Sequence, residues 1–367
     1  MKNKITDLLK IKYPIIQAPM AGGITTSQLV SEVSNSGGLG MIGAGYMTSE
    51  QIKKQCREIK QLTTGNFGIN LFVPNEFNFT DESITFANEK LEPIRKELNV
   101  QEPDTLDIPQ FKQVVNSFNE QIKVVIEEKI PICSFTFGIP SEEIIHELKR
   151  KNIMLIGTAT TVSEAVEIEN KGMDMVVVQG SEAGGHRGNF IKDTQESLVG
   201  LMSLVPQVVD SVRIPVIAAG GIMDGRGLMA SLCLGAQGVQ MGTAFLTCAE
   251  SGANRLHKDA ILNTEEDNII LTRAFSGKWA RGIKNKFTSD MKECEALLPD
   301  FPIQNSLTKR IRKESSLQGR DDFMSLWSGQ SPRLAKEQSV STLINSIIKE
   351  AKSIQEGVQS LRGGWIE

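Results

Sequence analysis

The chain has 367 residues, 40% hydrophobic and 23% charged, an ordinary composition for a globular protein with a full buried core. Its formal net charge of -4 gives no general attraction to nucleic acid or to an anionic membrane surface. The opening MKNKITDLLKIKYP has no apolar run of signal-peptide length, and no later run approaches the roughly 18–20 apolar residues of a membrane span, so a cytoplasmic protein is expected.

Short apolar runs ending in Gly or small polar residues mark buried parallel strands. In chain order they are Ile15–Met20, Leu39–Ala44, Phe67–Val73, Ile132–Phe137, Met154–Thr158, Met175–Gln179, Val216–Ala219 and Val239–Phe245. Helix-period segments alternate with them: Thr26–Ser36, Ser49–Gln61, Asn119–Glu128, Ser141–Lys151, Val162–Lys171, Leu198–Val212 and Arg226–Leu234. Several open on a Ser or Thr able to cap free amides, and several close at Gly37, Gly172 or Gly235. Eight strand–helix units in series predict an α/β protein with a closed (β/α)8 TIM barrel rather than an open doubly wound sheet.

Two stretches break the repeat. Residues 75 to about 118 form a polar, Pro-bearing insertion, and residues 251 to about 330 form a longer, partly helical one. Both leave from the carboxyl ends of strands, where insertions shape a substrate pocket. The expected organisation is a barrel core over 1–250, a lid over 251–330 and a closing helical segment over 331–367. The run KRIRK, Lys309–Lys313, is interrupted by Ile311 and reads as a solvated helix face.

Five dispersed cysteines without a CxxC pair fit a reducing compartment; Cys133 and Cys233 lie in apolar runs and read as buried small hydrophobes. With only three histidines, no histidine-built metal site is expected. Barrel chemistry sits at the carboxyl ends of the strands, with phosphate commonly after strands seven and eight. There the chain places AAGG, Ala218–Gly221, and QMGTAF, Gln240–Phe245. Consecutive glycines admit close backbone approach to an anion, and Thr243 adds a hydroxyl. The sixth run opens into QGSEAGGHRG, which puts Glu182, His186 and Arg187 in a glycine-rich loop. A loop histidine over a pocket is an acid, base or donor, or else a tie within its own loop. His146 and His257 read as surface residues. Asn70 and Gln179 interrupt buried strands with amides that must find partners, either in a flavin edge or in nearby backbone. No GxGxxG follows a strand, and no P-loop, HExxH or GxSxG occurs.

Taken together, QAPMAGG, GINLFV, CSFTFG, QGSEAGGHRG, PVIAAGGI, GAQGVQMGTAFL and LWSGQ resemble the nitronate monooxygenase family, formerly the 2-nitropropane dioxygenases, in order over nearly the whole chain. A related family, the NADH-dependent flavin enoyl-acyl-carrier-protein reductases, shares a similar histidine loop. The resemblance implies non-covalent FMN, with Asn70, Gln179, Gly184, Gly221, Gln240, Met241, Gly242 and Thr243 at flavin-contacting positions and His186 as the catalytic histidine. The implied reaction is oxidation of a small nitronate or nitroalkane by O2 to a carbonyl compound and nitrite. Ala244 after Gly-Thr and the late Trp327–Gln330 favour the monooxygenase over the reductase. A flavin-binding redox protein without turnover is a lesser alternative, a homodimer is left open, and neither Tyr13 nor Tyr46 is expected in the pocket.

Overall fold

Each of the eight apolar runs forms a strand in the computed structural model, which describes residues 2–77, 79–100, 108–192 and 195–361. The strands in chain order are β1 (Ile15–Gln17), β2 (Gly40–Gly43), β3 (Phe67–Phe72), β4 (Ile132–Thr136), β5 (Met154–Ala159), β6 (Met175–Gln179), β7 (Gly185–His186), β8 (Val216–Ala219), β9 (Gly238–Met241), β10 (Ile269–Thr272) and β11 (Ala280–Ile283). Eight of them pair in parallel in the order β1-β9-β8-β6-β5-β4-β3-β2. The last seam is closed by the Leu39 amide donating to the Ile15 carbonyl at 2.9 Å and the Gln17 amide to the Leu39 carbonyl at 3.0 Å. The expected (β/α)8 barrel is therefore present.

Two strands, β1 and β9, stop three or more residues short of the carboxyl ends of their apolar runs. Met20 lies beyond β1, where the chain turns through Gly22 and Gly23 with φ of +87° and +92°. The eighth run stops at Met241 because Gly242 takes helical φ/ψ and its carbonyl receives the Phe245 amide, so Thr243–Leu246 form a helical turn. The helix expected over 119–128 begins earlier, at Phe111, inside the segment read as insertion.

Alternation along the strands sorts side chains into two layers. Those facing outward meet the helices in the main core. Those facing inward, including Ile16, Leu39, Met41, Ile156, Met175 and Ile217, fill the barrel floor together with Ile5 and Leu9 of the short helix Lys4–Leu9. That helix is fastened beneath the strands: Asn3 Nδ2 donates to the Gln237 carbonyl at 2.6 Å and Asn66 Nδ2 to the Leu9 carbonyl at 3.0 Å. The terminal helix Val340–Leu361 packs beside helix Gly225–Cys233, whose first amide donates to the Glu350 carboxylate at 2.8 Å.

The two insertions meet in a core of their own. Ile84, Leu91 and Ile94 of helix Asp81–Glu97 pack with Phe275, Phe287 and Ile311 from the second insertion. Phe275 and Phe287 stack with ring centroids 4.2 Å apart. Strands β10 and β11 form an antiparallel hairpin that β7 extends, pairing Ala280 with His186 and Arg281 with Gly185. Parts of two expected segments, at residues 78 and 101–107 of the first insertion and 362–367 of the closing segment, lie outside the described residues. Cys133 is buried, but Cys233 is exposed, because the last turn of its helix rotates it away from the core. Among the described residues no helix is long and apolar enough to cross a membrane.

Candidate active site

The carboxyl ends of the parallel strands open into a cavity of about 1370 Å³. One wall is made by the turns after β8 and β9. Gly220 and Gly221 have φ of +135° and +64°, and a Cβ on either would stand 3.1 Å from the loop after β6, at the Ala183 amide nitrogen and at Glu182 Cβ. Glycine is required here both for conformation and for close approach. The amides of Gly221 and Ile222 donate to no acceptor among the described residues, and both residues line the cavity. Thr243 Oγ1 accepts the Gly329 amide at 3.0 Å, so its own proton is left to donate. Two open amides and a hydroxyl proton on one wall make an anion cradle.

Residues 328–330 run across this wall as a strap. The Gln330 amide donates to the Glu182 carbonyl at 3.0 Å and the Ser328 amide to the Arg281 carbonyl at 3.3 Å. A Cβ on Gly184 would meet the Gly329 nitrogen at 2.6 Å, so strap and histidine loop touch backbone to backbone. Gly184, Gly221, Gln240, Gly242 and Thr243 all line the cavity. Met241 does not: strand alternation turns its side chain, 1% exposed, into the layer beneath the helices, and its carbonyl accepts the Ala18 amide at 2.8 Å.

The two strand amides are placed differently. Asn70 Nδ2 donates to Ser134 Oγ at 2.9 Å and Thr136 Oγ1 at 3.0 Å on the neighbouring strand, leaving Oδ1 as an acceptor at the cavity floor. Gln179 is committed at both ends to the histidine loop, donating to the His186 carbonyl at 3.1 Å and accepting the Gly188 amide at 2.8 Å.

That loop is held from every side. The Arg187 guanidinium, fully buried behind β6, donates to the carbonyls of Gly180, Gln179 and Ser197 at 2.6, 3.1 and 2.8 Å. Burial pushes it down to about 10, still protonated at neutral pH. The buried Glu164 carboxylate accepts the Phe190 and Ile191 amides at 2.6 and 2.9 Å and fixes the far end. Between these anchors His186 faces the cavity. Its Nε2 lies 2.8 Å from Ser276 Oγ, and its ring stands 5.5 to 6.1 Å from those of Trp327, Phe137 and Phe301. Burial, reinforced by the positive charges of Lys278 and Arg312, pushes the imidazole down to about 3. It is neutral at physiological pH.

The sequence pattern of the family described as "Nitronate monooxygenase" matches residues 2–350. A protein named probable nitronate monooxygenase from Staphylococcus haemolyticus is 52% identical over 354 residues, covering 96% of this chain and 98% of that protein. The chain belongs to the nitronate monooxygenase family. A Staphylococcus aureus protein of the same name is 51% identical over 97% of this chain and 99% of its own length. Among solved structures, nitroalkane oxidase from Streptomyces ansochromogenes superposes with a TM-score of 0.89 at 34% identity, covering 96% of this chain and 99% of that one. FabK from Thermotoga maritima does so at 0.77 and 32%, covering 99% of both chains. Membership makes the chain an oxidoreductase, and nitronate oxidation is the family's reaction.

Against this family background, three expectations drawn from residue type need correction. His257 is not on the surface: it is 5% exposed, lines the cavity, and donates from Nε2 to the Trp327 carbonyl at 2.9 Å. Tyr46 does reach the pocket, edge-on to Phe72 with centroids 5.4 Å apart. Arg312, within the run read as a solvated face, turns inward and donates to the Asn305 side-chain oxygen at 2.7 Å. Two of the misses share a cause: the second insertion, which carries His257 and Arg312, is a structured wall, and helical periodicity does not reveal which of its faces meets the barrel. Tyr46 lies instead in the turn between β2 and the helix Ser49–Leu62. Ser276 was not foreseen at all; its only signal was a Ser-Gly pair, Ser276-Gly277, between two strand-like runs.

Proposed function

We propose that the chain oxidises alkyl nitronates with O2 to a carbonyl compound and nitrite, using non-covalently bound FMN. The observation that carries this reading is a neutral, cavity-facing His186 beside an anion cradle on one wall of a family-typical barrel mouth. The residues fit FMN. Gly221, Gly242 and Thr243 would receive its phosphate, with Gly184 and Gln240 on the same wall. Asn70 supplies an acceptor, and Gln179 acts by holding the loop that carries His186. Met241 would contribute through its backbone alone. FMN supplies the electron transfer between substrate and oxygen when bound.

The protein's own work is binding, orientation and proton handling. Tyr46, Phe72, Phe137, Phe301 and Trp327 line the barrel mouth with aromatic rings. A neutral His186 there can take the carbon-bound proton of a nitroalkane, giving the nitronate that is then oxidised.

The test is direct. Purified protein, a nitronate and air, with no nicotinamide added, should consume O2 and release nitrite, and denaturation should release FMN rather than FAD. A second reading, reduction of an enoyl thioester by NADH, draws support from the full-length likeness to FabK. It predicts rapid bleaching of the bound flavin by NADH in the absence of oxygen and no nitrite from a nitronate. That pair of results would replace the first reading.

A further inference from the structure

We infer that Ser276, on the second insertion, locks His186 as the Nε2–H tautomer and thereby assigns the role of proton acceptor to Nδ1. Ser276 is 2% exposed, and its Oγ makes three contacts: the His186 Nε2 at 2.8 Å, the Lys278 carbonyl at 3.0 Å and the Lys278 amide at 3.3 Å. A hydroxyl has one proton and two lone pairs. The carbonyl can only accept, so the contact to Lys278 O takes the hydroxyl proton. The Lys278 amide can only donate, so it takes one lone pair. The remaining lone pair faces Nε2, which must carry hydrogen. The opposite assignment would set two oxygen lone pairs against each other at 3.0 Å.

The position of Ser276 is as constrained as its protons. The following residue, Gly277, has φ of +81°, and a Cβ there would stand 2.3 Å from the Pro299 carbonyl oxygen. The backbone of His186 is in turn paired with Ala280, and the Arg187 amide donates to the Trp279 carbonyl at 2.8 Å. Backbone pairing and side-chain contact therefore come from one hairpin and fix both the ring plane and its tautomer. His186 Nδ1 has no hydrogen-bond partner among the described residues and is not sealed from the cavity.

This sharpens the proposed function, on which its catalytic meaning rests. An Nδ1 lone pair cannot donate to the oxygens of a nitronate. It can accept a proton from a neutral nitroalkane: the C–H bond breaks, the proton moves to Nδ1, and the electron pair stays in the substrate as the nitronate. The resulting imidazolium then donates from Nδ1 to the newly formed anion. Ser276 is a positioning residue in this scheme, because it does not line the cavity and acts on the substrate only through His186.

The experiment is 15N NMR of the imidazoles in the FMN-loaded enzyme near pH 7, with the His186 signals assigned by difference from His186→Asn. The wild type should show a single neutral Nε2–H form for His186. Ser276→Ala should mix the tautomers and lower turnover of a neutral nitroalkane on the order of tenfold or more, while turnover of preformed nitronate changes less. Ser276→Thr should restore both. A wild-type Nδ1–H spectrum, which requires no variant to fold, would overturn the inference. So would an unchanged tautomer and an unchanged nitroalkane-to-nitronate ratio in Ser276→Ala. Absence of any nitrite production alongside an intact Nε2–H spectrum would count against the proposed function and leave the lock standing.

Discussion

The two ends of this barrel are built from the same strands yet differ in almost every physical respect. At the floor, inward-facing Ile16, Leu39, Ile156 and Ile217 close around Ile5 and Leu9 of the first helix in an apolar cluster. At the mouth, the inward positions include Asn70, Gln179 and Gln240, and the turns after β1 and β8 carry glycines at positive φ. On β6, the inward step from Val177 to Gln179 exchanges dispersion and burial for hydrogen bonds and an open cavity. Stability and chemistry are thus separated along the barrel axis, so each can be disturbed with limited effect on the other.

Four measurements would break or sharpen that separation. The largest expected effect is at the mouth: His186→Asn should retain FMN and fold normally while losing roughly 10²–10⁴-fold in turnover of neutral nitroalkane, about 3–5 kcal/mol of barrier. Steady-state kinetics with a denaturation curve would check it, and a large loss of stability would mean the histidine loop also carries the fold. At the floor, Ile156→Ala leaves a cavity among fully packed neighbours. It should lower unfolding free energy by about 2–5 kcal/mol in denaturant while leaving turnover per bound flavin unchanged.

Acid sensitivity should belong to the mouth as well. Burial pushes His257 down to about 4, against 6.5 for the free side chain. The unfolded chain therefore binds the proton more readily. The stability contributed by neutral His257 is complete above about pH 6.5 and is lost as pH falls toward 4. Stability of His257→Gln, followed by thermal unfolding over that window, should decline less steeply than wild type, by at most about 1.4 kcal/mol per pH unit. The smallest effect is expected at Thr243→Val, which removes one cradle hydroxyl and its bond to Gly329. FMN affinity, titrated by flavin fluorescence, should weaken by about 0.5–1.5 kcal/mol, with the midpoint of unfolding of the flavin-free protein nearly unmoved.

The division between barrel and insertions also explains what could be read from sequence. Strand runs such as Met175–Gln179 and Val216–Ala219 stand in the structure with the same bounds, because buried parallel strands are nearly continuous in apolar residues and end at obligatory glycines. The glycine turns were legible for the same reason, since they follow those strands immediately. Met241 was carried along by its neighbours, and only the two-residue alternation of a strand separates it from Gln240. Ser276, Tyr46, Arg312 and His257 were illegible or misread because their relation to His186 depends on long-range packing. Ser276 is 90 positions from the histidine it touches, and nothing local distinguishes it from any other serine in a turn.

The strap across the cradle has a consequence for how the protein is made. Thr243 and the Gly329 amide it receives are 86 positions apart, and the bond from the strap to the Glu182 carbonyl comes from Gln330. A nascent chain that has emerged through β9 already possesses its glycine turns but not the segment that covers them. That wall is complete only when nearly the whole polypeptide is available, so any ligand that needs both the glycine turns and residues 328–330 would bind the completed chain.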